Sequence, residues 1–403
     1  MHRGSKPRFR RSGWRRWAFR GILLLFLFLL AETTGYVGLR LLDRRYAMDP
    51  MAEITPQRVR SFLERRYHPV YGWGPNASRG DINSIGARSH HEYRHDLGAT
   101  ISVYGDSYTF GTGLAVEDCW PMQLERKINR PVLNFAVEGF GVDQALLRLE
   151  ENYHRAPSST VLLCMQVENI NRCVGIYRGF YQAGFAPPKP RFVVEGGDVA
   201  LVNPFNTPEA VQDILIDHPQ RLWKLADQYD VWYRQIKLFG RPWSIRFPYS
   251  FQLSARLPLL IERLKIAATD VPLHARLYAD PEALAVVTGI IRRFRRFADQ
   301  QRFRGLVVVL PTIRDVRVLG ATGKVPYQPL RDFLDESRIP YVDLASALIG
   351  DHRLDQLYID GKDHFTSLGG DVVSNEVRDF LYEENAVPAP RNNRMHEPRM
   401  TLR

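Results

Sequence analysis

Two short runs, Thr160–Met165 (Thr-Val-Leu-Leu-Cys-Met) and Leu306–Leu310, are apolar almost throughout. A strand with one wet face alternates polar and apolar residues; a strand covered on both faces does not. Such strands belong to parallel sheets enclosed between helices. The flanking pattern agrees. Thr100–Tyr104 and Val132–Ala136 read as strands, Cys119–Asn129 and Val142 to about His154 as helices. Later come a long helix (Pro281–Arg302), a helix near 326–337, a strand at Tyr341–Leu344 and a final helix, Ser367–Glu383. Five parallel strands with helices between them predict an α/β, doubly wound, flavodoxin-like sheet. Ligands of such sheets bind at the carboxyl ends of the strands, so the chemistry is to be sought there.

The rhythm breaks between about 174 and 280. That stretch holds Pro187-Pro188-Lys189-Pro190, a predicted hairpin (Phe192–Val194 with Ala200–Val202 across Gly196-Gly197) and aromatic-rich helical pieces. It reads as a helical and hairpin insertion. Aromatics at helical spacing there, such as Tyr229, Trp232 and Tyr233, are expected in a core. Residues 43–79 read as a stalk and lead-in, 80–385 as the α/β domain with its insertion, and the Pro- and Arg-rich 386–403 as a disordered tail. Three cysteines (Cys119, Cys164, Cys173), none in a CxxC pair, make neither a disulfide framework nor a zinc ribbon.

A net charge of +11 suggests nucleic acid until it is located. Residues 1–20 carry eight basic groups and no acid, which leaves 47 basic against 44 acidic residues elsewhere. The globular part is nearly neutral, so no nucleic-acid partner is expected. The basic tail precedes Gly21-Ile-Leu-Leu-Leu-Phe-Leu-Phe-Leu-Leu-Ala31, and the apolar character resumes through Leu42. A cleaved signal peptide is one reading, but Leu29 and Ala31 make a poor small-x-small site. An uncleaved signal anchor over 21–42 has the length to cross a bilayer and is preferred. The positive flank keeps the N-terminus cytoplasmic and puts the bulk of the chain outside, in the periplasm if the cell is Gram-negative. Glu32 is the misfit, because a carboxyl in lipid is costly.

Two segments at strand ends carry chemistry. Gly105-Asp106-Ser107 follows the first strand, where a turn exposes a hydroxyl near backbone N–H groups. It is neither a GxSxG elbow nor a phosphate loop. After the fifth strand comes Asp360-Gly361-Lys362-Asp363-His364, in which an imidazole beside carboxylates suits a general base. A turn and a helix cap would account for either segment alone. The loop Ser89-His90-His91-Glu92-Tyr93-Arg94-His95 lacks HExxH spacing, and no metal is expected.

Taken in order, these residues resemble the SGNH/GDSL hydrolase superfamily. Gly105-Asp106-Ser107 matches its first block, Gly139 its second, Asn169 its third and His364 its last. The likeness covers roughly 80–185 and 281–384, and Asn83-Ser84-Ile85-Gly86-Ala87-Arg88 resembles the lead-in of membrane-anchored relatives. Two positions depart from the pattern. Val167 and Ile170 flank Asn169 where Gly and Asp are usual, and Gly361 stands three before His364 where Asp is usual. The resemblance implies Ser107 as nucleophile, His364 as base, and Ser107, Gly139 and Asn169 as oxyanion donors. Asp360 is expected to orient His364, with Asp363 as the alternative orienting acid. No cofactor and no metal enter.

The expected activity is an extracytoplasmic serine esterase acting on O-acyl, chiefly acetyl, esters of an envelope glycan or lipid. Alternatives are an O-acyltransferase using the same triad on an exopolysaccharide or lipid-linked sugar, and a non-catalytic envelope-assembly scaffold. Expected partners are the acylated substrate, the membrane through residues 21–42 and envelope polysaccharide machinery.

Overall fold

The computed structural model describes residues 13–46, 51, 53–76, 79–89, 92, 99–181, 185–237, 245–268, 272, 274–359 and 364–387. Five parallel strands form the central sheet: β1 (Ala99–Tyr104), β2 (Val132–Asn134), β3 (Ser158–Gln166), β4 (Arg304–Leu310) and β5 (Tyr341–Asp343). Their order is β2-β1-β3-β4-β5, with Ile101 opposite Val132 and Leu162 opposite Leu306 in register. This is the doubly wound, flavodoxin-like order expected from the apolar runs.

The seven helices used below are α1 (Gly13–Tyr46), α2 (Trp120–Ile128), α3 (Val142–Asn152), α4 (Tyr249–Ala268), α5 (Pro281–Gln301), α6 (Gln328–Glu336) and α7 (Ser367–Glu383). Alternate side chains of each strand enter two separate cores. Val161, Leu163, Met165, Val307 and Val309 pack with α3, α5 and α6. Leu162, Cys164, Leu306, Val308 and Leu310 pack with α2 and α7 on the other face. With both faces covered, few strand positions meet water, which explains the nearly continuous apolar runs. Helix starts follow local chemistry. Asp280 accepts from Ala283 N at 2.9 Å ahead of Pro281, and Thr366 accepts from Gly369 N at 3.2 Å to open α7.

The insertion contains the expected hairpin (Arg191–Glu195 with Asp198–Val202) and helices including Gln220–Tyr229, Val231–Lys237 and α4. It extends the α3/α5 core rather than standing apart. Phe192, Phe205, Trp232 and Tyr233 are buried in that cluster. Buried ionic groups staple it to the sheet domain. Lys189 Nζ pairs with Asp143 Oδ2 on α3, both side chains almost fully enclosed, and Arg191 Nη1 donates to Val174 O at 2.9 Å. The helix Ile313–Thr322 is an addition to the elements expected from sequence. Tail residues 388–403 and much of the His90–His95 segment lie outside the described residues.

Removing one partner of a buried ion pair strands the other. Lys189→Met is expected to lower the unfolding free energy by about 3–5 kcal/mol, and Lys189→Met with Asp143→Leu to regain most of it. Denaturant titration of the detergent-solubilised chain checks both. An equal loss in single and double variant would show that packing, not charge, holds the insertion.

Candidate active site

The chain leaves β1 through α2 on one face and reaches β3 and β4 through α3 and α5 on the other. The carboxyl ends of β1 and β3 therefore flank the point where the winding reverses, and a crevice opens there. Ser107 follows β1 and Asn169 follows β3.

Ser107 is the first residue of a single helical turn, Ser107–Phe110, whose N-cap is Asp106. Asp106 Oδ1 accepts from Tyr108 N at 2.9 Å. A first-turn N–H has no acceptor within its own helix, so the Ser107 amide is available to a developing oxyanion. Gly105 makes the turn possible. A Cβ there would lie 2.6 Å from Thr109 Oγ1 and 3.0 Å from Cys164 Cβ and Cys164 O on β3. Arg88, fully buried, clamps the far side of the turn by donating to the carbonyls of Phe110, Gly111 (2.9 Å) and Leu114 (2.7 Å).

His364 Nε2 lies 2.8 Å from Ser107 Oγ. Its backbone is bracketed by the segment before it: Ile359 N donates to His364 O at 2.8 Å, and Tyr358 bridges Phe365. The Tyr108 ring stands 5.1 Å from the imidazole and 5.2 Å, edge-on, from Phe365. Asp360 and Asp363, the two expected orienting acids, fall outside the described residues.

Asn169 opens the short helix Asn169–Cys173 and is wholly buried. Its Nδ2 donates to Asp106 Oδ2 at 2.9 Å. That uses one amide hydrogen and leaves the second for another acceptor. Arg172, one turn on, reaches the same Asp106 oxygen at 3.4 Å and donates to Phe140 O at 2.5 Å. Burial pushes the Asp106 carboxyl above its ordinary range, with Arg172, the Asn169 amide and the Tyr108 N–H acting against it. Burial also opposes the Arg172 charge, but Asp106 and Glu168 outweigh it and hold the guanidinium above its ordinary value. Arg172 Nη1 and Asp106 Oδ2, 3.4 Å apart, lie at ion-pair distance.

Gly139 has φ +85°, a conformation that favours glycine. The peptide before it is held by Trp73, whose Nε1 donates to Glu138 O at 3.2 Å. In a trans peptide the N–H points opposite to the carbonyl, so the Gly139 N–H faces away from the indole. Arg178 Nη1 holds the next carbonyl, Gly139 O, at 3.1 Å. The insertion supports the Asn169 helix in turn: Trp232 Nε1 donates to Asn171 O at 2.9 Å and Tyr278 Oη to Val167 O at 2.7 Å.

Beside the Ser–His contact lies a small cleft lined by Leu114, Trp120, His364, Phe365 and Gly370, with room of about 10 Å³, hardly more than one water. A wider depression, about 620 Å³, opens at the amino ends of β4 and β5 among Arg304, Gly305 and Tyr341, away from Ser107 and His364. Its position at the wrong ends of the strands makes it the lesser candidate despite its size.

The structure thus brings Ser107 against His364 and ties Asn169 to Asp106. Asp106 as an organising acid, and the three arginines Arg88, Arg172 and Arg178 as carbonyl clamps, are not evident from sequence. No local pattern separates a buried arginine from a surface one. For Asp106 the signal is present, since Asp before a helical turn is a favoured cap.

No protein-family model matches the chain, and no curated protein matches it in sequence. Solved structures similar to it include a member of the lipolytic protein G-D-S-L family from Veillonella parvula (12% identity, 70% of this chain and 97% of that one, TM-score 0.33). Others are the lipase/acylhydrolase from Enterococcus faecalis (11%, 71% and 96%, TM-score 0.35) and a carbohydrate acetylesterase family member from Sinorhizobium meliloti (12%, 72% and 100%, TM-score 0.31). Likeness at this level carries no argument about chemistry.

Asp106→Ala removes a cap, a partner of the Asn169 amide and the counter-charge of Arg172. It is expected to cost about 3–5 kcal/mol of stability, against about 1 kcal/mol for a cap alone. Urea unfolding that shows only the smaller loss would mean that the buried pair contributes nothing beyond capping.

Proposed function

We propose that this chain is a serine esterase of the SGNH type, anchored in a membrane by α1, that removes short O-acyl groups from an envelope glycan or lipid. One observation carries the reading: the 2.8 Å contact between His364 Nε2 and Ser107 Oγ, side chains 257 positions apart, at the switch point of the sheet. A hydroxyl, an imidazole and converging amide donors at one strand end are the parts that acyl transfer needs.

In this reading Nε2 takes the Ser107 proton as Oγ attacks the ester carbonyl. The carbonyl oxygen becomes an alkoxide, held by the N–H groups of Ser107 and Gly139 and by the Asn169 amide. As the intermediate collapses, the imidazolium returns its proton to the departing alkoxide of the glycan or lipid. Water, deprotonated by Nε2, then attacks the acyl-serine; as that intermediate collapses the imidazolium returns the proton to Ser107 Oγ, and the carboxylic acid leaves and ionises in solvent. Each step uses groups of the chain and water. Asp360 holds the other imidazole nitrogen in the assignment made from sequence, with Asp363 as the alternative.

The narrow cleft favours a short acyl group, acetyl first. The apolar stretch Gly13–Leu42 is long enough to cross a bilayer. Its basic flank keeps the N-terminus inside and places the site outside the cytoplasm.

A fluorophosphonate probe should label the wild-type chain at Ser107, and Ser107→Ala should neither label nor hydrolyse 4-nitrophenyl acetate while keeping its circular dichroism. Hydrolysis by Ser107→Ala at the parent rate would sink the assignment. Asn169→Ala should lose about 10²–10³ in kcat. Acetyl esters should exceed octanoyl esters in kcat/KM, and the reverse order would remove the argument from the cleft.

A further inference from the structure

Glu32 and Arg40 are the charged residues of the apolar stretch 21–42. Glu32 is only 6% exposed. Its partners come from the insertion, more than 200 positions later. Oε2 accepts from Tyr249 N at 2.6 Å, Oε1 accepts from Ser250 N at 3.4 Å, and Ser250 Oγ also donates to Oε1. Tyr249 and Ser250 open α4, so these N–H groups lack acceptors within their helix. The carboxylate and the helix end satisfy each other, as polar groups removed from water must.

The contact continues as a ladder. Phe28 meets Phe247 (6.2 Å between ring centroids), Tyr36 meets Tyr249 (5.2 Å) and Gly38 faces Leu253. A Cβ on Gly35 would lie 2.5 Å from Ser250 N, and one on Gly38 2.9 Å from Leu253 Cδ2, so the two backbones approach through small residues. Both helices ascend together, which puts Phe247–Leu253 at the depth of Phe28–Gly38 on α1. Apolar side chains of this segment are left open: Phe247, just before α4, is 62% and Phe251 72% exposed, and Leu257 and Ile261 are exposed further along the helix. On α1 the exposed Leu27, Val37 and Leu41 lie at neighbouring levels.

From this geometry we infer that Phe247–Leu257 is a second membrane-embedded element, a half-helix docked on the anchor whose free face is covered by lipid acyl chains. The inference rests on α1 being the anchor. The apolar face is continuous with that of the spanning helix and lies at its depth, so the occupant of one is the occupant of the other. Arg246 and Arg256 are the charges this segment carries, one at each end of it, and their long stems let the guanidinium groups snorkel away from the apolar layer. A carboxylate that a lone anchor would leave unsatisfied is thereby accounted for. The catalytic domain is held at two points rather than swinging on one.

The test uses the full chain in phosphatidylcholine/phosphatidylglycerol vesicles, with an environment-sensitive fluorophore on one introduced cysteine. Cys119, Cys164 and Cys173 are buried and leave the exposed position to react. Leu27→Cys reports the anchor, Phe251→Cys and Phe247→Cys the half-helix, and Lys224→Cys the aqueous surface. Brominated lipid should quench positions 27, 247 and 251 to within about twofold of one another, and aqueous iodide should quench 224 alone. Quenching at 27 with 247 and 251 behaving like 224 would overturn the half-helix and leave the anchor standing. Loss of lipid quenching at 27 as well would overturn both. Shielding of position 251 from lipid and iodide alike, or a disulfide joining two chains of the unlabelled Phe251→Cys variant on oxidation, would assign the face to a second copy of the chain and not to lipid.

Discussion

One carboxylate ties the strand ends together. Asp106 caps the turn that presents Ser107, accepts from the Asn169 amide, and pairs with Arg172, which in turn grips the carbonyl of Phe140 beside Gly139. Three segments that leave the sheet at different strands are referred to one buried oxygen pair. In a low-dielectric crevice these buried bonds are strong, and displacing Asp106 would leave the Asn169 amide and Arg172 Nη1 without their shared acceptor. The amide of Asn169 is thus oriented before any substrate arrives, which is the condition for preorganised stabilisation of charge.

The sheet was legible because its chemistry is local and repetitive. Thr160–Met165 and Leu306–Leu310 announce two covered faces, and Asp280-Pro281 and Thr366 announce helix starts at the positions where α5 and α7 begin. The helix Ile313–Thr322 was legible too and was overlooked: Thr312 and Asp315 form a reciprocal cap, a pattern written in the sequence. Asn169 was marked by its place after the third strand, but its bond to Asp106, 63 residues earlier, was not legible there.

What stayed hidden depends on distance along the chain. Glu32 looked anomalous on its helix because its partners, Tyr249 and Ser250, belong to an insertion read as unrelated. The same holds for Arg88 and Arg172, whose acceptors are carbonyls of other loops. The insertion itself is best understood through these long-range bonds. Its Trp232 and Tyr278 steady the Asn169 helix, while its α4 packs against α1.

The bracket that holds His364 lies close to the end of the chain, and the helix after it is fixed to α2 by Gln123 reaching Ser367 O at 2.9 Å and by Lys127 beside Asp371. The serine turn, by contrast, is synthesised 257 residues earlier. A nascent chain emerging N-terminus first carries the serine segment well before the imidazole proposed to activate it is made. In the proposed reading the Ser107–His364 pair forms only once residue 364 has been made, so a product truncated before it would carry the hydroxyl without its base.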